Sequence, residues 1–155
     1  MKETVNKLLS LNGKQTVDEI HKRLGHILID KVGMSRSGKG LKEAIKQIKE
    51  LREEFWTDTK VVGKAESLNQ TLERAGRVAD FLELGELMAV DALDRKESCG
   101  GHFREEYQTP EGEALRRDDK YTYVAAWEYK KAGNWKLHKE ALHFKNVKLA
   151  TRSYK

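Results

Sequence analysis

LNQTLERAGRVADFLELGELMAVDALDRKESCGGHFREE, residues 68–106, holds the longest helical pattern of the chain and the place where it stops. Leu68, Leu72, Ala75, Ala79 and Leu82 recur in alternating steps of four and three, which lays them on one face of a helix that packs against others. Leu84, Leu87, Met88, Val90 and Leu93 widen that buried face. Ser67 with Gln70 reads as a capping box at its start. The end is expected near residues 96–98, because Gly100 and Gly101 follow and permit positive φ and close backbone approach. Glu97, His102 and Arg104 gather at this stop. They read either as a local ion pair or as a docking site whose imidazole and guanidinium project toward a neighbouring surface.

Working outward, two helical patterns come first. Thr16 and Glu19 form a capping box ahead of Val17, Ile20, Leu24, Ile27 and Leu28, and Gly33 closes that run near Val32. Gly38-Lys39-Gly40 opens the next, where Leu41, Ala44, Ile45, Ile48, Leu51 and Phe55 share a face as far as about Trp56. Residues 2–11 have helical character, Asn12-Gly13 stops it, and residues 57–66 read as a connection.

Past residue 106 the character changes. Thr109-Pro110-Glu111-Gly112 is a turn with the only proline. Residues 121–129, YTYVAAWEY, are rich in β-formers, Ala132-Gly133-Asn134 is turn-like, and residues 135–144 alternate loosely. The expected fold is mainly α: a three-helix bundle over residues 1–105, with residues 106–155 as an extended, irregular β-hairpin tail packed on it, one structural domain overall.

Composition agrees with long solvated helices around a narrow core. Of 155 residues, 38% are hydrophobic and 35% charged. The 30 basic and 25 acidic residues are interleaved, so the net charge of +5 reads as solvated helix faces and not as a stripe that tracks phosphates. A lone cysteine, Cys99, excludes an internal disulfide and suits a reducing compartment. No apolar run approaches the ~20 residues that span a bilayer.

The motifs that carry chemistry elsewhere fail here. Residues 33–40, GMSRSGKG, come close to a phosphate-binding loop, but Gly40 stands where the metal-ligating hydroxyl belongs, and a helix precedes it where a strand is needed. A helix–helix connection is the expectation. His21, His26, His102, His138 and His143 lack metal-ligand spacing, and His21 is placed on a polar helix face. Cys99 beside His102 would make a small thiol enzyme, yet a helix C-terminus disfavours a thiolate. Trp56, Trp127, Trp135 and the tyrosines at 107, 121, 123 and 129 read as packing between hairpin and bundle.

Taken together, residues 68–106 resemble the flavoprotein subunit of succinate dehydrogenase and fumarate reductase. The turn Val32-Gly33-Met34-Ser35-Arg36, the triplet Arg117-Asp118-Asp119, the run at 123–129, and the ending Asn146-Val147-Lys148-Leu149 with Arg152-Ser153-Tyr154 are similar to the same family. Its usual signature is E-S-R-G-x-H. Glu97, Ser98, Gly100 and His102 match it, while Cys99 replaces the arginine, and no role of that guanidinium is carried over.

The resemblance implies a spectrin-repeat-like bundle that follows FAD-binding and capping domains. The family's flavin-binding glycine motif, flavin-linking histidine and substrate-clamping arginines lie upstream of the matched region. No catalytic, cofactor-binding or metal-binding residue is therefore expected in this chain, and FAD is expected only in the full-length subunit. Glu97, Ser98, Gly100, Gly101, His102 and Arg104 would dock the domain against the rest of the subunit. The implied partners are the chain's own upstream domains, an iron–sulfur subunit and, indirectly, a membrane anchor subunit, with no nucleic acid. The implied place is the cytoplasm, peripheral on the inner face of the plasma membrane. The chain is expected to be an excised piece of an oxidoreductase, inactive alone, with Met1 an added start. The competing reading is a stand-alone basic helical interaction module for nucleic acid or protein. A phosphate-binding module would lose affinity steeply as salt rises.

Overall fold

The computed structural model describes residues 2–131 and 133–150. Met1, Ala132 and the ending at Arg152, Ser153 and Tyr154 lie outside the described residues.

Helix α1 (Lys2–Leu9) packs Leu8 into the core. Three longer helices follow: α2 (Val17–Val32), α3 (Gly38–Asp58) and α4 (Gln70–Asp94). Each starts where a side chain satisfies an otherwise unpaired N–H of the first turn. Thr16 and Glu19 cap each other's backbone as a full capping box, Ser37 accepts from the Gly40 N–H, and Asn69 accepts from the Leu72 N–H. The expected Ser67–Gln70 box is therefore corrected to a cap at Asn69. Asn69 wins because its Nδ2 also donates to the Val62 and Lys64 carbonyls at 2.9 and 3.3 Å, which ties the helix start to the preceding connection.

The core runs along one stripe of each helix. Ile20 and Leu24 of α2, Leu41, Ala44, Ile48, Leu51 and Phe55 of α3, and Ala75, Val78, Leu82, Ala89 and Ala92 of α4 are buried. The α4 stripe keeps the expected three–four spacing but is rotated from the expected face: Val78 is buried, while Leu84 and Met88 are exposed, and Leu68 falls before the helix. At the far end of the bundle, β1 (Gln15–Thr16) and β2 (Thr59–Lys60) pair in parallel, and the Gly13 N–H donates to the Thr59 carbonyl at 3.0 Å.

After α4 comes an irregular stretch, a single turn α5 (Asp118–Tyr121), and the antiparallel hairpin β3 (Tyr123–Lys131) and β4 (Asn134–Ala141), paired from Tyr123↔Ala141 to Lys131↔Asn134. The hairpin is tied to α4 where the Trp127 indole donates to Asp91 at 2.7 Å. Its turn glycine, Gly133, takes φ +73° and sits against Glu86, Arg52 and Lys49. The second strand ends at Ala141, inside the loosely alternating stretch 135–144.

A signature loop that ties three helix ends together

Helix α4 stops at Asp94, a few residues before the expected 96–98, and the Arg95 N–H closes its last turn on the Asp91 carbonyl at 3.1 Å. The chain then folds into a tight two-ended loop. The Cys99 N–H donates to the His102 carbonyl at 2.8 Å, and the His102 N–H returns to the Cys99 carbonyl at 3.1 Å. Gly100 and Gly101 form the tip, and Gly100 takes φ +57°, where a side chain is disfavoured. Beneath the tip, the Ser98 hydroxyl accepts from the Arg104 N–H at 2.8 Å and donates to the Arg104 carbonyl at 3.1 Å.

Arg104 is only 4% exposed. Its Nη1 donates to the Ala92 carbonyl at 2.8 Å and its Nε to Glu106 at 3.1 Å. The expected outward-pointing guanidinium is thus corrected: it points into the end of α4 and satisfies a carbonyl the helix cannot satisfy itself. Arg36 does the same for α2. Its Nε donates to the Val32 and Gly33 carbonyls at 3.0 and 2.9 Å, and its backbone pairs with residues 103 and 105. Both guanidiniums lie at helix C-termini, where the partial negative charge favours a cation. The N-terminus of α3 receives the opposite charge, because the Gly38 N–H donates to the Glu106 carboxylate. The loop thus caps α4 with Arg104 and α3 with Glu106, and its backbone pairing at residues 103 and 105 holds Arg36, which caps α2 from the α2–α3 connection.

His102 links the Arg36 cap to the C-terminal end of α4. Its Nδ1 is 2.7 Å from Arg36 Nη1 and its Nε2 is 2.9 Å from the Arg95 carbonyl. Both contacts are satisfied by a neutral ring carrying its proton on Nε2. Burial, then the nearby guanidiniums of Arg36, Arg104 and Arg95, hold its pKa below the ordinary value, against the opposing hydrogen bond to the Arg95 carbonyl. Burial likewise lowers Arg36. For Glu106 burial alone would raise the pKa, but the hydrogen bonds from the Gly38 N–H and Arg104 outweigh it, and the net shift is downward. Glu97 is buried. It accepts from Arg95 Nε and from the Arg117 N–H, both at 2.8 Å, which fastens the loop to the segment leading into the hairpin.

Of the six residues singled out in the sequence, Glu97, Ser98 and Arg104 are buried, His102 is half-buried, and Gly100 and Gly101 are exposed. Cys99 is half-buried beside His102, but both ring nitrogens are engaged elsewhere, so the imidazole is not placed to activate the thiol. The GMSRSGKG segment joins α2 to α3, and the Glu106 carboxylate already occupies the helix N-terminus that a phosphate would need. This segment does not fit the phosphates of FAD.

Sequence reasoning missed Arg36 and Glu86 as structural charges. Glu86 is 1% exposed on α4, paired with Arg52 and 3.5 Å from Lys49. Its signal was available: Glu86 falls on the stripe between Leu82 and Ala89, where an acid must be paired. His21 is exposed, as expected of a polar helix face, and its ring lies 5.6 Å from that of Phe81.

Comparison with known proteins converges on one family. The family model described as "Fumarate reductase flavoprotein C-term" matches residues 21–154. Over 100 residues the chain is 38% identical to the fumarate reductase flavoprotein subunits of two strains of Helicobacter pylori, covering 64% of this chain and 14% of theirs. Its fold is shared with a solved quinol-fumarate reductase with menaquinol molecules, at a TM-score of 0.80 and 21% identity over 94% of this chain and 24% of that one. It is shared too with Mycobacterium smegmatis Sdh1, at a TM-score of 0.74 and 21% identity over 92% of this chain and 24% of that one. The chain thus spans about a seventh of the length of the curated relatives it matches. It belongs to the family of C-terminal domains of succinate dehydrogenase and fumarate reductase flavoproteins.

Proposed function

We propose that this domain buttresses a larger flavoprotein that interconverts succinate and fumarate, and that it performs none of the chemistry itself. In that protein FAD accepts hydride from succinate and passes electrons to an iron–sulfur subunit. Both the flavin and the substrate are held by residues outside this chain. The assembly sits at the inner face of the plasma membrane through a separate anchor subunit; among the described residues no helix is long and apolar enough to cross a membrane. Residues 97–104 dock the domain against the flavin-bearing body: Gly100, Gly101 and His102 meet it, while Glu97, Ser98 and Arg104 hold the loop in shape.

One observation carries this reading. The loop is fixed from beneath by buried hydrogen bonds, yet a Cβ built on Gly100 or Gly101 meets nothing within 4 Å. A tip held from beneath and open above, among the described residues, is what a docking point requires. The test is to mix the purified chain with FAD and succinate. No flavin is expected to stay bound and no dye to be reduced, whereas retained flavin or succinate-dependent dye reduction by this chain alone sinks the reading. In the full-length subunit, Gly101→Trp is expected to weaken flavin retention without lowering the Tm of the isolated chain.

A further inference from the structure

A three-helix bundle has three grooves, and this one covers them unequally. The α3/α4 groove lies under the hairpin, with Trp127 on Asp91 and Gly133 against Glu86 and Arg52. The α2/α3 groove is lined with polar groups, among them the Arg23–Glu54 ion pair at 2.7 Å. The α2/α4 groove differs from both. It is an apolar cleft of about 130 Å³ whose walls include Gly25 and Leu28 of α2 and Phe81, Leu84 and Met88 of α4. Phe81 is 39% exposed, Leu84 54% and Met88 47%, and Ile29, one turn beyond Gly25, is 75% exposed. Large apolar side chains grouped on one face mark a surface that is normally covered.

Gly25 sharpens the point. It lies within α2, where glycine costs about 0.5–1 kcal/mol relative to alanine. The fold does not ask for it, because a Cβ there meets nothing within 4 Å. Gly85 across the cleft is different: its Cβ would touch Leu28 at 3.3 Å. The space over Gly25 is thus open to a side chain from outside the described residues.

We propose that an apolar segment of the flavin-bearing body of the same polypeptide fills this cleft, seating a large side chain over Gly25 between Phe81, Leu84 and Met88. The proposal rests on the flavoprotein reading above. The occupant follows from size and chemistry: the chain covers 14% of its curated relatives, so most of the polypeptide in such a protein is available to cover the face. His21 at one edge is the only polar side chain in the cleft walls among the described residues, so they call for an apolar partner.

The test uses the full-length subunit with Leu84→Cys, Met88→Cys or, as a control, Lys46→Cys on the solvent face of α3, whose side chain is 76% exposed. Maleimide labelling is followed peptide by peptide by mass spectrometry. Positions 84 and 88 are expected to label at least about tenfold more slowly than position 46, at a rate independent of protein concentration. Equal rates overturn the proposal. Protection that vanishes on dilution also overturns it and assigns the cleft to a second copy. Flavin content is measured on the same samples, so a subunit that carries no flavin sinks the flavoprotein reading separately, whatever the labelling shows.

Discussion

Arg104 satisfies the end of α4 from a buried position, so its removal leaves the Ala92 carbonyl without its donor and the Glu106 carboxylate with the Gly38 N–H alone of the two. Arg104→Met keeps the length and deletes the donors. Leaving a buried acceptor unpaired costs about 1–3 kcal/mol, and we expect a loss of about 2 kcal/mol in urea unfolding. A loss below about 0.5 kcal/mol would mean that water serves the helix end equally well. His102 gives the loop a pH dependence whose sign is fixed by its lowered pKa. In the unfolded chain the imidazole titrates near its ordinary value of about 6.5; the folded chain resists protonation until lower pH. The unfolded state thus binds more protons in that window, and stability present above about pH 6.5 is lost as pH falls through it. Between about pH 7.5 and about pH 5.5 the urea midpoint should fall more steeply for the native chain than for His102→Gln, which removes the titration. Parallel slopes would show that His102 takes no part.

At the scale of elements, two glycines test how the helices are tied at the far end and along α2. A Cβ on Gly13 would lie 1.9 Å from the Asp58 carbonyl carbon, and backbone there has little freedom to yield. Gly13→Ala should therefore break the β1–β2 pairing and destabilise the chain by about 2 kcal/mol or more, read as a lower Tm. Gly25→Ala, with open space around it, should raise stability by about 0.5–1 kcal/mol in the isolated chain. If both changes act alike, the packing described at Gly13 is wrong. The hairpin hangs partly on one polar contact, the Trp127 indole to the Asp91 carboxylate. Trp127→Phe keeps the ring and removes the donor, so about 1–2 kcal/mol of hairpin attachment should be lost, measured as faster proteolytic nicking in the hairpin. Cutting at the native rate would place the attachment elsewhere.

For the whole molecule, what could be read in the sequence was what is local. The Thr16–Glu19 box, the Gly33 stop, the stripe Leu41–Phe55 by its three–four spacing, and the turn before Asn134 all depend on neighbours within a few residues. What was missed depends on distant partners. Ser67 and Asn69 are both good capping residues, and Asn69 prevails through bonds to Val62 and Lys64. Leu84 and Met88 look like core on a helical wheel, but the cleft beside them is left uncovered. The family signature at Glu97, Ser98, Gly100 and His102 was legible, but the inward aim of Arg104 was not, because a charged residue type does not reveal that a helix end waits for it. The central physical claim is that this one loop locks the ends of α2, α3 and α4 into a single cooperative unit. Native-state hydrogen exchange on Arg104→Met tests it most directly. The account predicts that amides at residues 29–32, 41–44 and 89–92 lose protection together, by about thirtyfold for a loss near 2 kcal/mol. Faster exchange confined to residues 97–107, with the three helix ends unchanged, would contradict it.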